Sequence, residues 1–441
     1  MSDATGVLAA NLAPEQAMTP EARVAGAMKG FAQEIGALSA FRLESCIHCG
    51  ICADACHFYI ATEDPQYTPI WKVEPFKQAY KREASPFAPL YRALGLKREV
   101  TADQLAQWQH LLFDSCNMCG RCSLICPMGI DVAALIEQAR HAMFDAGLAP
   151  KELYQKAACQ QATGQPEASA EPYRKQLLAI GTRFGVAIPL DKPDAEIMLC
   201  VPRTDIEHYP SAVAALARVM QHLGSSCTFR SDGLVAENYG YYAGGKSWQR
   251  DISLRLIEQA IACKAKTLLV PECGHAYTAL RWEAADLYGK PLPFKVRHVT
   301  EFLADELQAG RLRLTQAASG KTTFHDPCQL VRKGGVNDAP RTLMKAMGIE
   351  LNELKNHGGF SFCCGGGGGV LDIERAAPLR YRTMENKLRE IDDTGAGTFL
   401  TSCSDCRRTF DDARTHFNWN KTPQSLLELV ASNLSGAEKR T

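Results

Sequence analysis

The sequence lacks several features that would place it in a membrane, on a nucleic acid or outside the cell. It has no apolar run near the roughly 18 residues that a membrane-spanning helix needs. Lysine plus arginine and aspartate plus glutamate balance at 49 each, without a basic run, so the charge pattern does not predict nucleic-acid binding. The first arginine is Arg23, and no apolar core separates a basic start from a cleavage site. We therefore expect no signal peptide and a cytoplasmic location.

Cysteine, in contrast, is abundant, with 18 among 441 residues. In a small secreted chain that number would indicate disulfides, whereas C-x-x-C clusters in a long chain in a reducing compartment are typical of metal ligands. With 46% hydrophobic residues the chain can bury large cores, and its length predicts about two to four domains.

Eight cysteines form two runs with the same spacing. Residues 46–56 follow the pattern C-x-x-C-x-x-C-x-x-x-C, and residues 116–126 repeat it, with Pro127 after the last cysteine. This is the bacterial ferredoxin spacing, in which three cysteines hold one [4Fe–4S] cube and the fourth ligates the other cube. Zinc sites also use C-x-x-C pairs, but two complete runs favour clusters. We predict one cube on Cys46, Cys49, Cys52 and Cys126 and a second on Cys116, Cys119, Cys122 and Cys56.

Two departures from a simple ferredoxin stand out. His57 follows Cys56 where proline is usual, and the pattern gives it no ligand role. About 60 residues, rich in proline and aromatic residues, separate the two runs. We interpret them as a helical excursion over Glu74–Arg82 that covers one cluster.

From about residue 195 the pattern changes to alternating strands and helices. Strands are predicted at Ile197–Val201, Thr267–Val270, Thr322–His325 and Thr398–Thr401, and further short ones at 227–230 and 351–354. Alternation with helices argues for parallel sheets, and the order repeats after roughly 125 residues. We predict two tandem Rossmann-like modules.

The second module carries five more cysteines around a glycine-rich loop. The pair Cys363-Cys364 precedes the glycines 365–369, Cys328 follows one predicted strand, and Cys403 and Cys406 follow another. Loops at the carboxyl ends of parallel strands bind ligands, and glycines let the backbone approach a bulky group. We interpret the five cysteines as converging on one metal–sulfur centre.

The first module lacks most of these thiols. Tyr241-Tyr242 stands where the cysteine pair would be, and Val270 stands where the first cysteine of the last pair would be. We therefore expect the first module to be degenerate and to hold no matching cluster.

The combination of motifs resembles the heterodisulfide reductases. The spacing from Cys328 through Cys363-Cys364-Gly to Cys403-x-x-Cys406 is similar to their cysteine-rich CCG domain, and two ferredoxin runs ahead of two such modules resemble the HdrD and DsrK types. The resemblance implies a catalytic non-cubane [4Fe–4S] centre that cleaves or forms a disulfide with electrons from the two cubes. Its ligands would be Cys328, Cys363, Cys364, Cys403 and Cys406.

The resemblance also implies partners. These are a haem b-type, quinone-reactive membrane subunit and, as substrate, a small thiol or persulfide carrier protein. The location would then be cytoplasmic, or peripheral on the inner face of the cell membrane.

Five other residues are candidates for binding around the centre. Gly365, Gly366 and Gly367 can offer backbone N–H groups without side-chain clash. Arg332 is a candidate for an anionic or peptide substrate, with a solvated basic corner as the alternative. His325 is a candidate proton donor, with a structural histidine as the alternative.

The predicted organisation is an α-helical ferredoxin domain followed by an α/β part. The boundaries are an N-terminal helical segment at 1–40, the ferredoxin domain with two clusters at 41–158, a linker at 159–194, the degenerate CCG-like module at 195–320 and the CCG module with the non-cubane cluster at 321–435.

Two functions of different class remain open. One is a heterodisulfide reductase-like thiol/disulfide oxidoreductase linked to membrane quinone. The other is an electron-relay subunit of a quinone-linked flavin dehydrogenase of the glycerol-3-phosphate or lactate type. The full five-cysteine set favours the first function, because a relay needs only cubes. The eight ferredoxin cysteines argue against a pure assembly scaffold.

Overall fold

The structure is a computed structural model that describes residues 18–83, 85–95, 100–169, 171–317 and 320–436. Residues 1–17 of the helical segment predicted at 1–40 therefore lie outside the described residues. The chain forms two compact units, each built from three separate stretches. The first unit comprises 1–158, 239–249 and 365–386, and the second comprises 159–238, 250–364 and 387–441, in each case where described.

The first unit is helical, and its helices begin where the sequence provides caps. The Thr19 hydroxyl accepts a hydrogen bond from the Ala22 N–H at 3.2 Å, with Pro20 in the first helical position. Thr101 and Gln104 form a capping box farther along. The α-helices of this unit are Pro20–Glu34, Ala37–Glu44, His57–Thr62, Pro69–Glu83, Ala88–Ala93, Ala102–Gln109, Arg121–Leu124, Val132–Asp145 and Tyr239–Ala243.

The core of this unit forms where the helix Pro20–Glu34 packs on Val132–Asp145. A side chain at Gly30 would place its Cβ 2.8 Å from the Ala142 Cα, so glycine permits the close approach of the two helices. Phe31 contacts Phe76 and Trp108, with ring centroids 5.7 and 5.8 Å apart. The N-terminal helix therefore contributes a buried face to the ferredoxin unit.

The helix between the two cysteine runs is longer than predicted. It extends over Pro69–Glu83, where the sequence indicated residues 74–82. Pro69 occupies the first helical position, where the missing N–H needs no partner. Pro75 is accommodated inside the helix.

The second unit contains two small parallel sheets, which confirms the predicted α/β character. The first sheet has the order β2-β1-β3-β4 and the second the order β5-β6-β7, and all paired strands are parallel. The strands are β1 Ile197–Leu199, β2 Cys227–Phe229, β3 Thr267–Val270, β4 Lys295–His298, β5 Thr322–His325, β6 Thr398–Thr401 and β7 Pro423–Ser425.

Some short strands differ from the sequence expectation. β4 and β7 were missed because they are polar edge strands without an apolar run. The strand expected at 351–354 is reduced to a single bridge between Thr322 and Leu351.

The helices of the second unit alternate with these strands along the chain. They are Tyr173–Phe184, Arg203–Glu207, Pro210–His222, Gly274–Thr278, Ala284–Tyr288, Val299–Gln308, Asp338–Ala346, Ser404–Phe417 and Leu426–Ser432. Three more helices contribute residues to both units: Lys151–Thr163, Lys246–Ala262 and Ala377–Asp392.

The stretch 159–194, expected as a linker, contains the end of one helix and a second complete helix. Tyr173, Leu177 and Ile180 bury one face of the helix Tyr173–Phe184 in the core. Their spacing of four and three residues is that of an amphipathic helix. The burial of these apolar side chains stabilises a helix, although the residues before it are small and polar. Among all the described residues, no helix is both long and apolar enough to cross a membrane.

Candidate iron–sulfur centres

The two ferredoxin runs adopt the same turn. His48 and Met118, each two residues after the first cysteine of its run, have φ values of 54° and 50°. Gly50 and Gly120, each two residues later, also have positive φ, at 80° and 73°. A short helical turn follows in both runs. The repeated sequence spacing is thus matched by a repeated backbone geometry.

The structure groups the eight ferredoxin cysteines across the two runs. Cys52 lies close enough to Cys46, Cys49 and Cys126 for their charges to affect its pKa, which burial raises. Burial also raises the pKa of Cys122, and its neighbours Cys119, Cys116 and Cys56 add to the rise. In each group the fourth cysteine comes from the other run, so the arrangement fits the two ligand sets proposed from the spacing.

The second group lines a cavity in the first unit. Its four cysteines are Cys56, Cys116, Cys119 and Cys122, and the empty volume is about 400 Å³ including space open to solvent. Lys72, His57 and apolar side chains line the remaining wall. The cavity and its thiols fit a cluster, because cysteine thiolates are the ligands of [4Fe–4S] groups.

The glycine loop that follows Cys364 contacts the second run directly. The Asn117 side chain, between two predicted ligands, donates to the Gly365 carbonyl at 2.7 Å and to the Gly367 carbonyl at 3.1 Å. A Cβ on Gly368, where φ is 63°, would lie 3.0 Å from the Asn117 carbonyl carbon. Glycine is therefore needed here for a close backbone approach, a reason that the sequence did not indicate. The loop's carbonyl groups, rather than its N–H groups, meet this run.

Arg140 connects the glycine loop to other parts of the first unit. Its guanidinium is fully buried and donates to the carbonyls of Leu112, Cys116, Tyr242 and Gly368 at 3.0, 2.9, 3.2 and 2.7 Å. It also lies 4.7 Å from the centre of the Phe113 ring. Sequence reasoning missed Arg140, because an arginine on an amphipathic helix is ordinarily solvated.

The segment Tyr241-Tyr242, which was expected to stand in place of a cysteine pair, packs in the same region. Tyr242 supplies one of the Arg140 acceptors, and a Cβ on Gly244 would lie 2.5 Å from the Arg140 carbonyl oxygen. On Gly369, a Cβ would lie 3.3 Å from the Tyr242 Cβ. Tyr241-Tyr242 and the glycine loop thus both serve as packing surfaces of the ferredoxin unit.

The five cysteines of the second module come together in the second unit. β5 and β6 pair side by side, so the residues after each strand meet at one edge of the sheet. Cys328 follows β5, and Cys403 and Cys406 follow β6 at the start of the helix Ser404–Phe417. The Cys328 and Cys363 sulfurs are 3.6 Å apart. All five thiols are buried: Cys328, Cys363, Cys364, Cys403 and Cys406.

Cys364 and Cys406 bring the remaining thiols into the same group. Hydrogen bonding to Cys364, then to Cys403, together with burial, raises the pKa of the Cys406 thiol well above its ordinary value. The pKa of Cys364 is also raised, first by its hydrogen bond with Cys363. Five buried thiols connected by such contacts are poorly accommodated as free groups, and they fit a shared metal–sulfur centre.

His325 supplies an independent sign that the site holds a further group. The ring is fully buried, and neither ring nitrogen has a hydrogen-bond partner among the described residues. Its nearest ligand atom lies within 4.8 Å of those of Cys364 and Cys406. Burial lowers the pKa of His325 well below its ordinary value, which leaves a neutral imidazole with one N–H. A buried N–H without a partner is costly, and a cluster sulfur would satisfy it.

The loop that leads to Cys363 is held by polar contacts from Asp326. This buried carboxylate accepts two hydrogen bonds from Arg341, both at 2.9 Å, and one from the Gly358 N–H at 2.6 Å. The Asp326 carbonyl accepts from the Ser361 hydroxyl at 3.0 Å. The motif Asp326-Pro327-Cys328 therefore fixes both its own cysteine and the approach to the next one.

One cationic side chain contacts the loop before Cys363, and another lies near Cys363 itself. The Arg332 guanidinium, in a π turn over Gln329–Lys333, donates to the carbonyls of Gly359, at 2.8 Å, and Ser361. Lys387 is buried, and its ammonium lies 2.8 Å from the Glu390 carboxylate and near Cys363. Positive charge beside a group of thiolates is favourable in a dry site.

Buried carboxyl groups lie behind Cys403 and Cys406. The Ser404 hydroxyl donates to the Asp205 carboxylate, and the Ser404 N–H donates to the Glu272 carbonyl at 2.7 Å. Burial raises the pKa of both Glu237 and Glu272 to about 7. Sequence reasoning did not single out these acids, because a carboxyl group is expected at the surface.

Comparisons with known proteins identify both cysteine-rich regions. Residues 42–130 match the family described as a 4Fe-4S dicluster domain, and residues 322–411 match the cysteine-rich domain known as CCG. The two domain types indicate [4Fe–4S] clusters and confirm the domains expected from the resemblance.

Named relatives are similar over most of the chain. HdrD, a component of the dihydromethanophenazine:CoB–CoM heterodisulfide reductase of Methanosarcina barkeri, is 26% identical over 91% of this chain and 96% of its own length. An Hdr-like menaquinol oxidoreductase iron–sulfur subunit 2 from Archaeoglobus fulgidus is 23% identical over 89% of this chain and 80% of its own length. An EtfAB:quinone oxidoreductase from Syntrophomonas wolfei is 28% identical over 77% of this chain and 50% of its own length.

Replacing Arg140 with methionine tests the buried connection in the first unit. Arg140→Met leaves three buried carbonyls and one partly buried carbonyl without their donor, at a cost of at least about 3 kcal/mol. We expect a lower Tm by circular dichroism and weaker ferredoxin-type EPR signals in the reduced protein. Arg174→Met, at an exposed arginine, is the control and should leave both unchanged. Equal behaviour of the two variants would contradict the account of Arg140.

The raised pKa of Glu272 predicts how stability varies with pH. The carboxyl ionises near 4.5 when unfolded and near 7 when folded, so folding stability falls as pH rises between these values. Glu272→Gln mimics the protonated form. We expect its Tm to equal that of the parent at pH 5 and to exceed it at pH 8. The exposed Glu258→Gln should show no such trend, and a pH-independent difference at Glu272 would refute the prediction.

Proposed function

Because the chain is a heterodisulfide reductase-like iron–sulfur protein, we propose that it is a thiol/disulfide oxidoreductase. It reduces or forms a disulfide or persulfide at the five-cysteine centre and exchanges electrons with a membrane quinone-linked partner. The observation that carries this proposal is the convergence of five buried thiols at the carboxyl edge of β5 and β6. A protein that only relays electrons has no need of such a set.

The proposed cofactors are two cubane [4Fe–4S] clusters and one non-cubane [4Fe–4S] cluster. They supply one-electron transfers, whereas reduction of a disulfide needs two electrons and two protons. The cubes are assigned to the two ferredoxin groups, and the non-cubane cluster is assigned to Cys328, Cys363, Cys364, Cys403 and Cys406. The matched CCG domain at residues 322–411 contains all five of these cysteines.

The protein's own residues hold this centre and keep it dry. Asp326, through Arg341 and Gly358, fixes the loop that positions Cys363. His325 is proposed to donate its ring N–H to a cluster sulfur. Neither ring nitrogen has a partner among the described residues, and one of them lies within 4.8 Å of the Cys364 and Cys406 sulfurs. Its neutral form makes it a hydrogen-bond donor rather than a second buried charge.

The basic and glycine candidates are proposed to act around the substrate and the cluster. Arg332 lies four residues beyond Cys328 and is proposed to bind an anionic or peptide substrate in addition to the loop it fixes. Gly365, Gly366 and Gly367 are proposed to give the cluster room beside Cys364, since a side chain at Gly365 would also meet Met384 at 3.1 Å.

Two buried acids are proposed to exchange protons with the site. Glu237 and Glu272 have pKa values near 7, so each is partly protonated at neutral pH. A group whose pKa lies near the working pH can both give and accept a proton. The two protons that disulfide reduction consumes are proposed to pass through these carboxyl groups.

The names of two relatives support the proposed electron partner. The heterodisulfide reductase and the Hdr-like menaquinol oxidoreductase are phenazine- and quinol-linked enzymes by name. We propose a haem b-type membrane subunit as electron partner, a small thiol or persulfide carrier protein as substrate and a cytoplasmic location on the inner face of the membrane.

Residues 195–320 are proposed to be a degenerate, Rossmann-like CCG module, and residues 321–435 are proposed to be the active CCG module.

An electron-relay function is the second candidate. It is favoured by the similarity to an EtfAB:quinone oxidoreductase, whose name links it to a flavoprotein electron donor. In that case the five-cysteine centre would carry electrons without binding a substrate disulfide.

Replacing Cys364 separates the two functions. Cys364→Ser removes a thiol from the centre, and we expect a loss of at least about 100-fold in reduction of a disulfide or trisulfide substrate. The ferredoxin-type EPR signals should persist, because the eight cube ligands are unchanged. Cys159→Ser, at a partly exposed thiol outside the three groups, is the control. Absence of disulfide turnover in the parent protein would favour the relay. Unchanged turnover in Cys364→Ser would contradict a catalytic five-cysteine centre, and loss of the cube signals would indicate a folding defect.

A further inference from the structure

The helix Pro69–Glu83 carries a buried lysine at one of the ferredoxin groups. Lys72 is 2% exposed, and its ammonium lies 3.5 Å from the Cys56 sulfur. It also donates to the Ser115 carbonyl, one residue before Cys116. The aromatic rings of Phe58 and Tyr67 lie at 4.7 and 5.9 Å from the ammonium.

This position suits a group that compensates negative charge. A buried ammonium is costly unless an anion or several dipoles face it. Lys72 faces one carbonyl and one thiol that, as a cluster ligand, would carry negative charge. The contact is also direct, so water does not screen it.

The other ferredoxin group has a different cationic neighbour. Lys77, five residues farther along the same helix, contacts the His48 ring nitrogen at 2.7 Å rather than a cysteine sulfur. Cys49 of that group is exposed, whereas the cavity beside Lys72 is lined by buried and half-buried residues. The two groups therefore offer unequal electrostatic environments to otherwise similar clusters.

We propose that Lys72 sets the order of electron transfer by raising the reduction potential of the cube at Cys56, Cys116, Cys119 and Cys122. In the direction of disulfide reduction, a cube held by Cys46, Cys49, Cys52 and Cys126 would be oxidised by one electron and the second cube would be reduced by one, with no proton transferred. The added electron increases the negative charge of the accepting cube, and the ammonium stabilises that reduced state more than the oxidised state. This inference rests on the cubes of the proposed function.

The preferred cube is also the one that adjoins the loop of the catalytic centre. Asn117, between two of its ligands, binds the carbonyls of Gly365 and Gly367. The electron is therefore held at the cysteine run that contacts the glycine loop within the first unit. Lys72 thereby acts as a positioning residue, through the cluster and not on the substrate.

A potentiometric EPR titration of the full-length protein, reduced with dithionite, tests the proposal. Lys72→Met should lower the equilibrium constant for reducing one cube at least about tenfold, which is about 59 mV for one electron, and leave the other step unchanged. Lys72→Arg should retain the parent potential, because it keeps the charge. Lys77→Met, on the same helix, should leave the Lys72-dependent step unchanged. Cys49→Ser removes a ligand of the other cube. In that background, the reduction step that remains should be the one that Lys72→Met shifts.

Each other result overturns the inference. An unshifted titration in Lys72→Met shows that the charge does not set the potential, and equal shifts of both steps show a general structural effect. A loss of about four iron atoms in Lys72→Met would mean that one cube is missing from this variant. The potentials of Lys72→Gln and Lys72→Arg are then measured instead. A lowered potential in Lys72→Arg contradicts the proposal. Absence of ferredoxin-type signals in the parent protein would instead refute the proposed cubes.

Discussion

One buried guanidinium links the parts of the ferredoxin unit that are far apart in the sequence. Arg140 donates to carbonyls before and within the second cysteine run, in the Tyr241-Tyr242 segment and in the glycine loop. A buried cation is stabilised only if its donors are satisfied, and the carbonyls of turns and loops need donors of their own. The carbonyls thus accept from the buried guanidinium, and the guanidinium supplies the donors that these carbonyls need. The close approach depends on glycine at 244 and 368, where a Cβ would contact backbone atoms.

That arrangement gives the five-glycine segment a packing role besides the one expected from the sequence. The glycines were expected to supply N–H groups to the cluster of the CCG domain. In the structure, the carbonyls of Gly365 and Gly367 accept hydrogen bonds from Asn117 of the second ferredoxin run. The division between the two units falls between Cys364 and Gly365. One short segment therefore carries a candidate ligand, Cys364, in one unit and glycines that pack within the other unit.

The local features of the chain could be predicted from the sequence, and the long-range ones could not. β3, β5 and β6 lie at the predicted residues because each is a short apolar run between turn signals. The spacing of the cysteines indicated both ferredoxin groups and the five-cysteine centre. Asn117, Arg140 and Lys72 left no such signal, because a buried polar side chain is recognised only by the partners that the fold brings to it.

The prediction of a linker at 159–194 failed for a related reason. The composition of this stretch indicated a linker, while the apolar spacing of Tyr173, Leu177 and Ile180 formed a buried helix. The polar composition predicted a linker, whereas the apolar spacing indicates a helix. The structure contains the helix, because it buries its apolar face. The edge strands β4 and β7 were missed because their backbone pairing needs no apolar run.

Iron and acid-labile sulfide per chain, measured on anaerobically purified protein, test the central claim most directly. Two cubes and a cluster on the five-cysteine centre predict about twelve iron atoms per chain. About eight iron atoms, with intact ferredoxin-type EPR signals, would show that the five-cysteine centre holds no cluster and would contradict the account.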